Sequence, residues 1–306
     1  MKTKTYNIKK FACVVLAAVI LFIALPITAK ADTGPKPSVV VNFKNMGEEL
    51  CYATLLSVGK STGPHSAWDG IEGHENYAES EKEIWQAFVD YVDEDGYYFL
   101  QIFWKVSDKK SFTWGYYPPK TFKVLLYYPN TNEFAVSTVC EKYAFDSYYT
   151  IDMQGSNIGS IKYDEENSTD ERLIAYRSYN YFKEGITLFI RACITIVIEL
   201  LVAYLFAIRS KKEIIILLIV NVITQIALNG ILFFVSYLNG PIAFLLAYAM
   251  LEVVIFIAEG LVYWKFINKY ADKKREWWYY LLYSFVANVL SVVIGLLVAS
   301  EIPALF

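Results

Sequence analysis

The sequence predicts a multidomain membrane protein in which an extracytoplasmic, mostly-β, sandwich-like domain precedes a four-helix transmembrane bundle. Three observations predict this class. Residues 1–31 have the pattern of a signal peptide, residues 32–167 are aromatic and turn-rich with short strand-like stretches, and residues 168–306 contain four long apolar runs. The hydrophobic fraction of 56% also exceeds that of an ordinary soluble domain.

The leader has the three parts of a secretory signal. Lysines at 2, 4, 9 and 10 precede an apolar stretch over 11–25, and Pro26 ends that stretch. Ala29-Lys30-Ala31 then supplies small residues around a cleavage site. An uncleaved anchor is the alternative interpretation. Both interpretations place the following domain outside the cytoplasm.

The exported domain is predicted from alternating and β-branched stretches separated by turn residues. A capping-box pattern at 80–83 also predicts a short helix that continues to Tyr91. A hairpin is predicted around the turn at 129–132, where Pro and Asn interrupt two apolar runs. The predicted strands cover 38–43, 51–58, 97–106, 122–128, 133–139 and 147–153.

Two cysteines, Cys51 and Cys140, fall in the exported domain. A disulfide between them would close a loop of about 90 residues and stabilise the domain by about 4–5 kcal/mol on a chain-entropy argument. The alternative is a pair of buried free thiols. The geometry decides between the two.

The helical part is predicted to begin at the second capping-box pattern, residues 168–171. The helix would then run through Tyr176 and Tyr179 into the first apolar run, so the domain boundary falls after residue 167. The four runs, about 186–208, 214–238, 241–266 and 277–299, each reach the roughly 20 residues needed to cross a bilayer.

Basic residues are unevenly distributed over the connections between these runs. Loops 209–213 and 265–276 contain eight lysines and arginines between them, whereas Asn239-Gly240 has no charge. Because cytoplasmic loops are enriched in Lys and Arg, both basic loops are predicted to be cytoplasmic. The protein is therefore expected to be a multi-pass protein of the cell membrane, with the lipid bilayer as a partner and its large domain outside.

Polar residues inside these runs recur at helical spacing. Asn221, Gln225 and Asn229 lie four residues apart, and Glu252 and Glu259 lie seven apart. Ionisable residues within membrane helices mark functional sites by default. The predicted intramembrane polar site comprises Glu199, Asn221, Gln225, Asn229, Glu252, Glu259, Tyr263 and Asn288.

Three interpretations of this set stay open. The first is structural, with protonated glutamates bonded to amides and phenols across helices. The second is a site for a proton, a metal cation or a polar headgroup. The third is a helix face that meets a partner protein.

Other chemistry has little support in the sequence. His65, His74 and the acids near them match no zinc spacing, and Asp93 and Asp95 fit a turn better than a calcium loop. No metal or cofactor is predicted, catalytic residues are not identified, and enzyme activity is left open. The net charge of −3 gives no support for a nucleic-acid partner.

Four stretches carry a resemblance to a known group: TGPKPSV (33–39), CYATLLS (51–57), YAFDSYYTIDM (143–153) and NVITQIALN (221–229). The chain resembles, over nearly its whole length, a family of bacterial multi-pass membrane proteins with a signal peptide and an extracytoplasmic domain. That family has no assigned activity. The resemblance implies the architecture and no reaction.

The expected function is ligand or partner binding, or sensing, by the extracytoplasmic domain, with the bundle relaying the event or anchoring the domain. Aromatic side chains would suit a glycan or protein partner, although aromatic strands usually build a core; they are Phe103, Trp104, Trp114, Tyr116 and Tyr117. The alternative is a proton- or cation-handling transporter or intramembrane enzyme that uses the buried glutamates. Four spans are few for a transporter, so an oligomer or accessory subunit is expected in that case.

Overall fold

The structure is a computed structural model that describes residues 34–71, 77–154, 172–271 and 273–301. A β region comes first and long helices follow, and from Lys36 onward they belong to one unit. The predicted signal peptide, the capping-box pattern at 168–171 and His74 lie outside the described residues. The strands are β1 Ser38–Lys44, β2 Tyr52–Ser57, β3 Tyr98–Phe99, β4 Trp104–Lys105, β5 Ser111–Trp114, β6 Thr121–Tyr128, β7 Glu133–Val136, β8 Cys140–Glu141, β9 Asp146–Asp152 and β10 Ala175–Arg177.

Within the described residues the strands form two sheets. The first has the order β10-β9-β1-β5, with β1 and β9 parallel and the other neighbours antiparallel. The second has the order β3-β2-β6-β7, and the short strands β4 and β8 pair with β2 and β6. Its centre is the antiparallel pair β2–β6.

Inward-facing side chains of both sheets join one hydrophobic cluster. Val39 and Val41 of β1, Leu55 of β2 and Val124 of β6 are fully buried in it. The opposite face of the second sheet is covered by α1, Glu79–Asp90, whose Trp85 and Phe88 pack on that sheet. Because β6 is covered on both faces, its sequence is an almost continuous apolar run and does not alternate.

Most predicted β elements are confirmed. β1, β2 and β9 match the predicted strands within two residues, and the hairpin pairs Tyr128 with Glu133 across the predicted turn. The single strand expected over 97–106 is instead two short strands, both paired with β2. The helix at 79–90 is present, but the predicted capping box at its start is wrong, because its N-cap is Ala78 and makes no side-chain cap.

The predicted helix through Tyr176 is also wrong. Residues 175–177 form β10, which pairs antiparallel with Thr150 and its neighbours at the edge of the first sheet. The first long helix, α2, begins only at Tyr181, where the Asn180 side chain accepts a hydrogen bond from the Lys183 amide. The β region therefore extends past the predicted boundary at residue 167.

The Cys51–Cys140 disulfide does not form in the structure, where both thiols are free and buried. The β6 register explains this, because Tyr52 lies opposite Tyr127 whereas Cys140 lies opposite Phe122. Five strand residues correspond to about 17 Å, far beyond disulfide reach. Burial raises the pKa of Cys51 to about 12 and that of Cys140 to about 11, so both thiols stay protonated at neutral pH.

In the described part of the chain, the long helices after the β region form a closed ring of four. α2 packs against α5 and α3, and α4 packs against α3 and α5. All four are long and apolar enough to cross a membrane. Their bounds are Tyr181–Leu205 for α2, Lys211–Asn239 for α3, Pro241–Tyr270 for α4 and Trp277–Glu301 for α5.

The two ends of the bundle contact different parts of the chain. At one end the β region contacts the α3–α4 connection, where the Phe145 amide donates to the Tyr237 carbonyl at 2.8 Å. At the other, the two basic connections meet, and the Arg275 guanidinium donates to the Phe206 carbonyl at 2.7 Å. The Tyr279 hydroxyl donates to the same carbonyl. The β region and the basic connections thus contact different helix connections.

Candidate functional site

The four long helices bury polar side chains and expose apolar ones. Glu199 and Asn221 are 0% exposed and Glu259 is 1% exposed. Large apolar side chains cover the outside of the bundle, among them Leu201, Ile219, Ile223, Phe234, Leu246, Met250 and Val254. Of the other predicted site residues, Gln225, Asn229, Tyr263 and Asn288 are also buried, and Glu252 is partly buried.

Glu259 of α4 is held by donors from two neighbouring helices. Its Oε1 accepts from the Thr224 hydroxyl of α3 at 2.7 Å. Its Oε2 accepts from the Ser284 hydroxyl at 3.0 Å and the Asn288 amide at 2.9 Å, both on α5. Donors on both oxygens are what an ionised carboxylate requires, because it can only accept.

A glycine beside Glu259 lets α4 and α5 approach closely. A Cβ at Gly260 would lie 2.5 Å from Cδ2 and 2.9 Å from Cα of Leu281. Small residues permit this kind of backbone approach between membrane helices. Ser284 follows Leu281 by three residues, so the close approach brings one of the Glu259 donors within reach.

Glu199 of α2 has no such partners. Among the described residues neither of its carboxylate oxygens receives a hydrogen bond, and Oδ1 of Asn221 is also without one. The Asn221 side chain is close enough to interact with the carboxyl, but no hydrogen bond of normal geometry joins the two. The Asn221 amide nitrogen is already used, since it donates to the Leu217 carbonyl and the Tyr263 hydroxyl, both at 3.1 Å. Three buried acceptor atoms are therefore left without a hydrogen bond, which is costly in an apolar interior.

The charged and titratable neighbours of Glu199 are acids and phenols. Glu259 and, less strongly, Glu252 interact electrostatically with its carboxyl. Tyr263 and Tyr283 lie beside it, and the Tyr283 hydroxyl donates to the Glu199 backbone carbonyl at 3.1 Å. The sequence has no Lys, Arg or His over 192–208, 213–264 or 276–301. The bundle thus brings two glutamates together in helix segments that contain no cation.

Not all predicted site residues join this centre. The Asn229 amide bonds within α3, to the Gln225 carbonyl at 2.8 Å and to its side-chain oxygen at 3.2 Å. Glu252 lies beside Tyr248 on α4, and its Oε2 has no partner among the described residues. Thr224 was not predicted as a site residue, although it lies three residues after Asn221 on the same helix face. Ser284 lies four residues before Asn288 and shares the polar face of that residue.

The described residues hold no group of three His, Cys, Asp or Glu side chains arranged for a metal ion. His65 packs edge-on against Trp114, with ring centroids 5.3 Å apart. Asp93 and Asp95 form the predicted turn, in which Gly96 has a φ of 75°. Their carboxylates bind the Lys123 ammonium.

Comparison with protein-family models, with curated proteins and with solved structures finds no match for this chain.

Proposed function

We propose that the protein is a multi-pass membrane protein whose helical bundle binds a proton at the Glu199–Glu259 pair. The observation that carries the proposal is the Glu199 carboxyl, which is fully buried and has no hydrogen-bond donor among the described residues. Two charged carboxylates close together in an apolar interior repel each other. A proton on Glu199 removes this repulsion.

The proton also satisfies the orphaned amide oxygen. A protonated carboxyl gains one O–H donor. The neighbouring Asn221 side chain has an Oδ1 that receives no hydrogen bond, so it could accept from this donor. An ionised Glu259 fits this arrangement, because its three contacts all come from groups able to donate. The pair then carries one charge, which the donors from α3 and α5 stabilise.

The orientation and shape of the protein belong to the same proposal. The basic connections face the cytoplasm, and the sandwich-like β region lies outside the cell membrane at the Asn239–Gly240 connection. The positive-inside rule supports this, because the β region and the basic connections contact different ends of the bundle. The apolar outer side chains then meet lipid.

The proton site predicts a specific pH dependence of stability. Between mildly acidic pH and the pH at which the folded site empties, only the unfolded chain gives up this proton, so the stability falls by about 1.4 kcal/mol per pH unit. We expect the thermal midpoint of the full chain in detergent to fall on going from neutral to alkaline pH. In Glu199→Gln, whose amide is neutral and can donate, this fall should be much smaller.

Glu252→Gln is the comparison variant. Glu252 also interacts with the Glu199 carboxyl, and its Oε2 has no partner among the described residues, so this variant should keep most but not all of the wild-type alkaline fall. An identical pH slope in wild type and Glu199→Gln would rule out the site.

A second candidate function is binding of a ligand, glycan or protein partner by the β region, relayed to or anchored by the bundle. The direct contact between Phe145 and the α3–α4 connection favours it. Gly240 has a φ of 82°, and a Cβ there would lie 2.5 Å from the Phe145 ring. The connection is therefore shaped to receive this ring.

Gly240→Ala should break that contact. We expect the Phe145 amide, which donates to Tyr237, to exchange its hydrogen at least tenfold faster in the full-length variant. Gly70→Ala is the control, because Gly70 has a similar φ of 92° with nothing within 4 Å of the added Cβ. Unchanged exchange of the Phe145 amide in Gly240→Ala would show that the contact does not hold the β region.

A further inference from the structure

A cavity of about 420 Å³ lies where the β region meets the helices. Its walls come from three separate parts of the chain: the start of β9, the start of α2, and the connection between α3 and α4. Asp146 and Tyr148 belong to the first part, and Tyr179 and Glu184 to the second. Tyr237 belongs to the third. The site exists only because the β region is docked on the bundle, and it is separate from the Glu199–Glu259 pair.

Three tyrosine rings form the aromatic wall of the cavity. Tyr179 packs edge-on against Tyr148, with centroids 5.8 Å apart, and edge-on against Tyr237, with centroids 5.1 Å apart. Rings at steep angles present their faces in more than one direction. The face of a phenol ring attracts cations, and the attraction grows when the cation is shielded from water.

Carboxylates lie next to these rings. Asp146 and Glu184 both interact electrostatically with Tyr148 and with Tyr179. Burial, followed by the negative charge of Glu184, raises the pKa of Tyr179 to about 12, so the ring stays neutral. The Asp146 Oδ1 accepts from the Ser38 hydroxyl at 2.6 Å, which fixes the carboxylate in place. Acids and ring faces together favour a positively charged guest.

One basic residue completes the lining. Lys183 is exposed and borders the same cavity. If the bound molecule carries an anionic group as well as its cation, the Lys183 ammonium would contact that group. Lys is a common partner of phosphate. The lining therefore suits a molecule with an ammonium group at one end and a phosphate next to it.

We propose that this cavity binds an alkylammonium group linked to a phosphate, with the ammonium against Tyr148, Tyr179 and the two acids and the phosphate at Lys183. The cavity lies at the ends of helices long enough to cross a membrane, which is the level at which lipid headgroups occur. The zwitterionic headgroup of a phospholipid has this chemistry. A free phosphorylated amine has it too. This site gives the second candidate function a ligand class, and it stands or falls separately from the proton site.

The first experimental arm uses the full chain in detergent with soluble probes. Glycerophosphoethanolamine and glycerophosphocholine should raise the thermal midpoint in a saturable way. Glycerophosphate, which lacks the ammonium, should have at least a tenfold weaker effect. The second arm compares nanodiscs of phosphatidylethanolamine with nanodiscs of phosphatidylglycerol. Stabilisation by the soluble probes shows that a free ligand suffices, whereas stabilisation only by the zwitterionic bilayer identifies the lipid.

The variants assign the binding to this cavity. Tyr179→Leu removes the central ring, and Glu184→Gln removes one charge with little change in shape. Each should make the rise in the thermal midpoint caused by the probes at least tenfold smaller. Tyr176→Leu is the matched control, because Tyr176 is an exposed tyrosine of β10 outside the lining. If Tyr179→Leu fails to fold, Glu184→Gln still decides the outcome. Equal stabilisation by glycerophosphate, no stabilisation in either arm, or full binding by Glu184→Gln would overturn the proposal.

Discussion

Replacing Asp93 by alanine should lower the free energy of unfolding of the β region by about 3–5 kcal/mol. Asp93 and Lys123 form an ion pair in which each side chain is only 1% exposed. The Lys123 Nζ lies 2.9 Å from both Asp93 oxygens and 4.9 Å from the centre of the Tyr97 ring. Without Asp93 a buried ammonium loses its main counter-charge. The turn also loses the acceptor for the Asp95 and Tyr97 amides.

Chemical denaturation of the full chain in detergent, followed by tryptophan fluorescence, measures this effect. Asp95→Ala is the control, because its carboxylate also touches Lys123 but is 44% exposed. Exposed pairs contribute only about 0–1 kcal/mol. The double variant Asp93→Ala/Lys123→Met should recover part of the loss, since it removes the unpaired charge. Equal losses for Asp93→Ala and Asp95→Ala would contradict the assignment of the buried pair.

Replacing Gly260 by alanine should separate α4 from α5 and destabilise the bundle by about 1–3 kcal/mol. The added Cβ meets the Leu281 backbone at 2.9 Å, which a side-chain rotation cannot relieve. The separation should also lengthen the contacts of Glu259 with Ser284 and Asn288. The thermal midpoint of the detergent-solubilised full chain measures the loss.

Gly230→Ala provides the matched control for this substitution. Gly230 lies inside α3, and an added Cβ there has nothing within 4 Å. Because alanine favours a helix over glycine by about 1 kcal/mol, Gly230→Ala should leave the midpoint unchanged or raise it. A loss of the same size in both variants would show that the effect is not specific to the α4–α5 approach.

Helical spacing predicted which residues are buried in the bundle better than it predicted their partners. Asn221, Glu259 and Asn288 lie inside the bundle, as their periodicity indicated. Glu252 shares the heptad spacing with Glu259 but is partly exposed, and seven residues already drift about 20° around a straight helix. Which acid meets donors depends on the rotation of neighbouring helices, and spacing along one helix does not contain that information.

In the β region, an element set by local sequence was predictable, whereas elements set by long-range pairing were not. The hairpin at 129–132 is set by its own turn residues, so it was predictable. The strand at 175–177 forms because it adds to the edge of β9, a partner more than twenty residues away. The contact of Lys123 with Asp93 joins residues 30 positions apart and has no local signal. The separation of Cys51 from Cys140 likewise follows from the β6 register alone.

The central claim is that Glu199 carries a proton in the folded protein. Infrared spectroscopy of the purified full chain at neutral pH tests it directly, because a protonated carboxyl has a carbonyl band distinct from that of a carboxylate. We predict a protonated-carboxyl band in wild type that keeps most of its intensity in Glu252→Gln and loses a clear part of it in Glu199→Gln. A wild-type spectrum without this band, or a band of undiminished intensity in Glu199→Gln, would contradict the account.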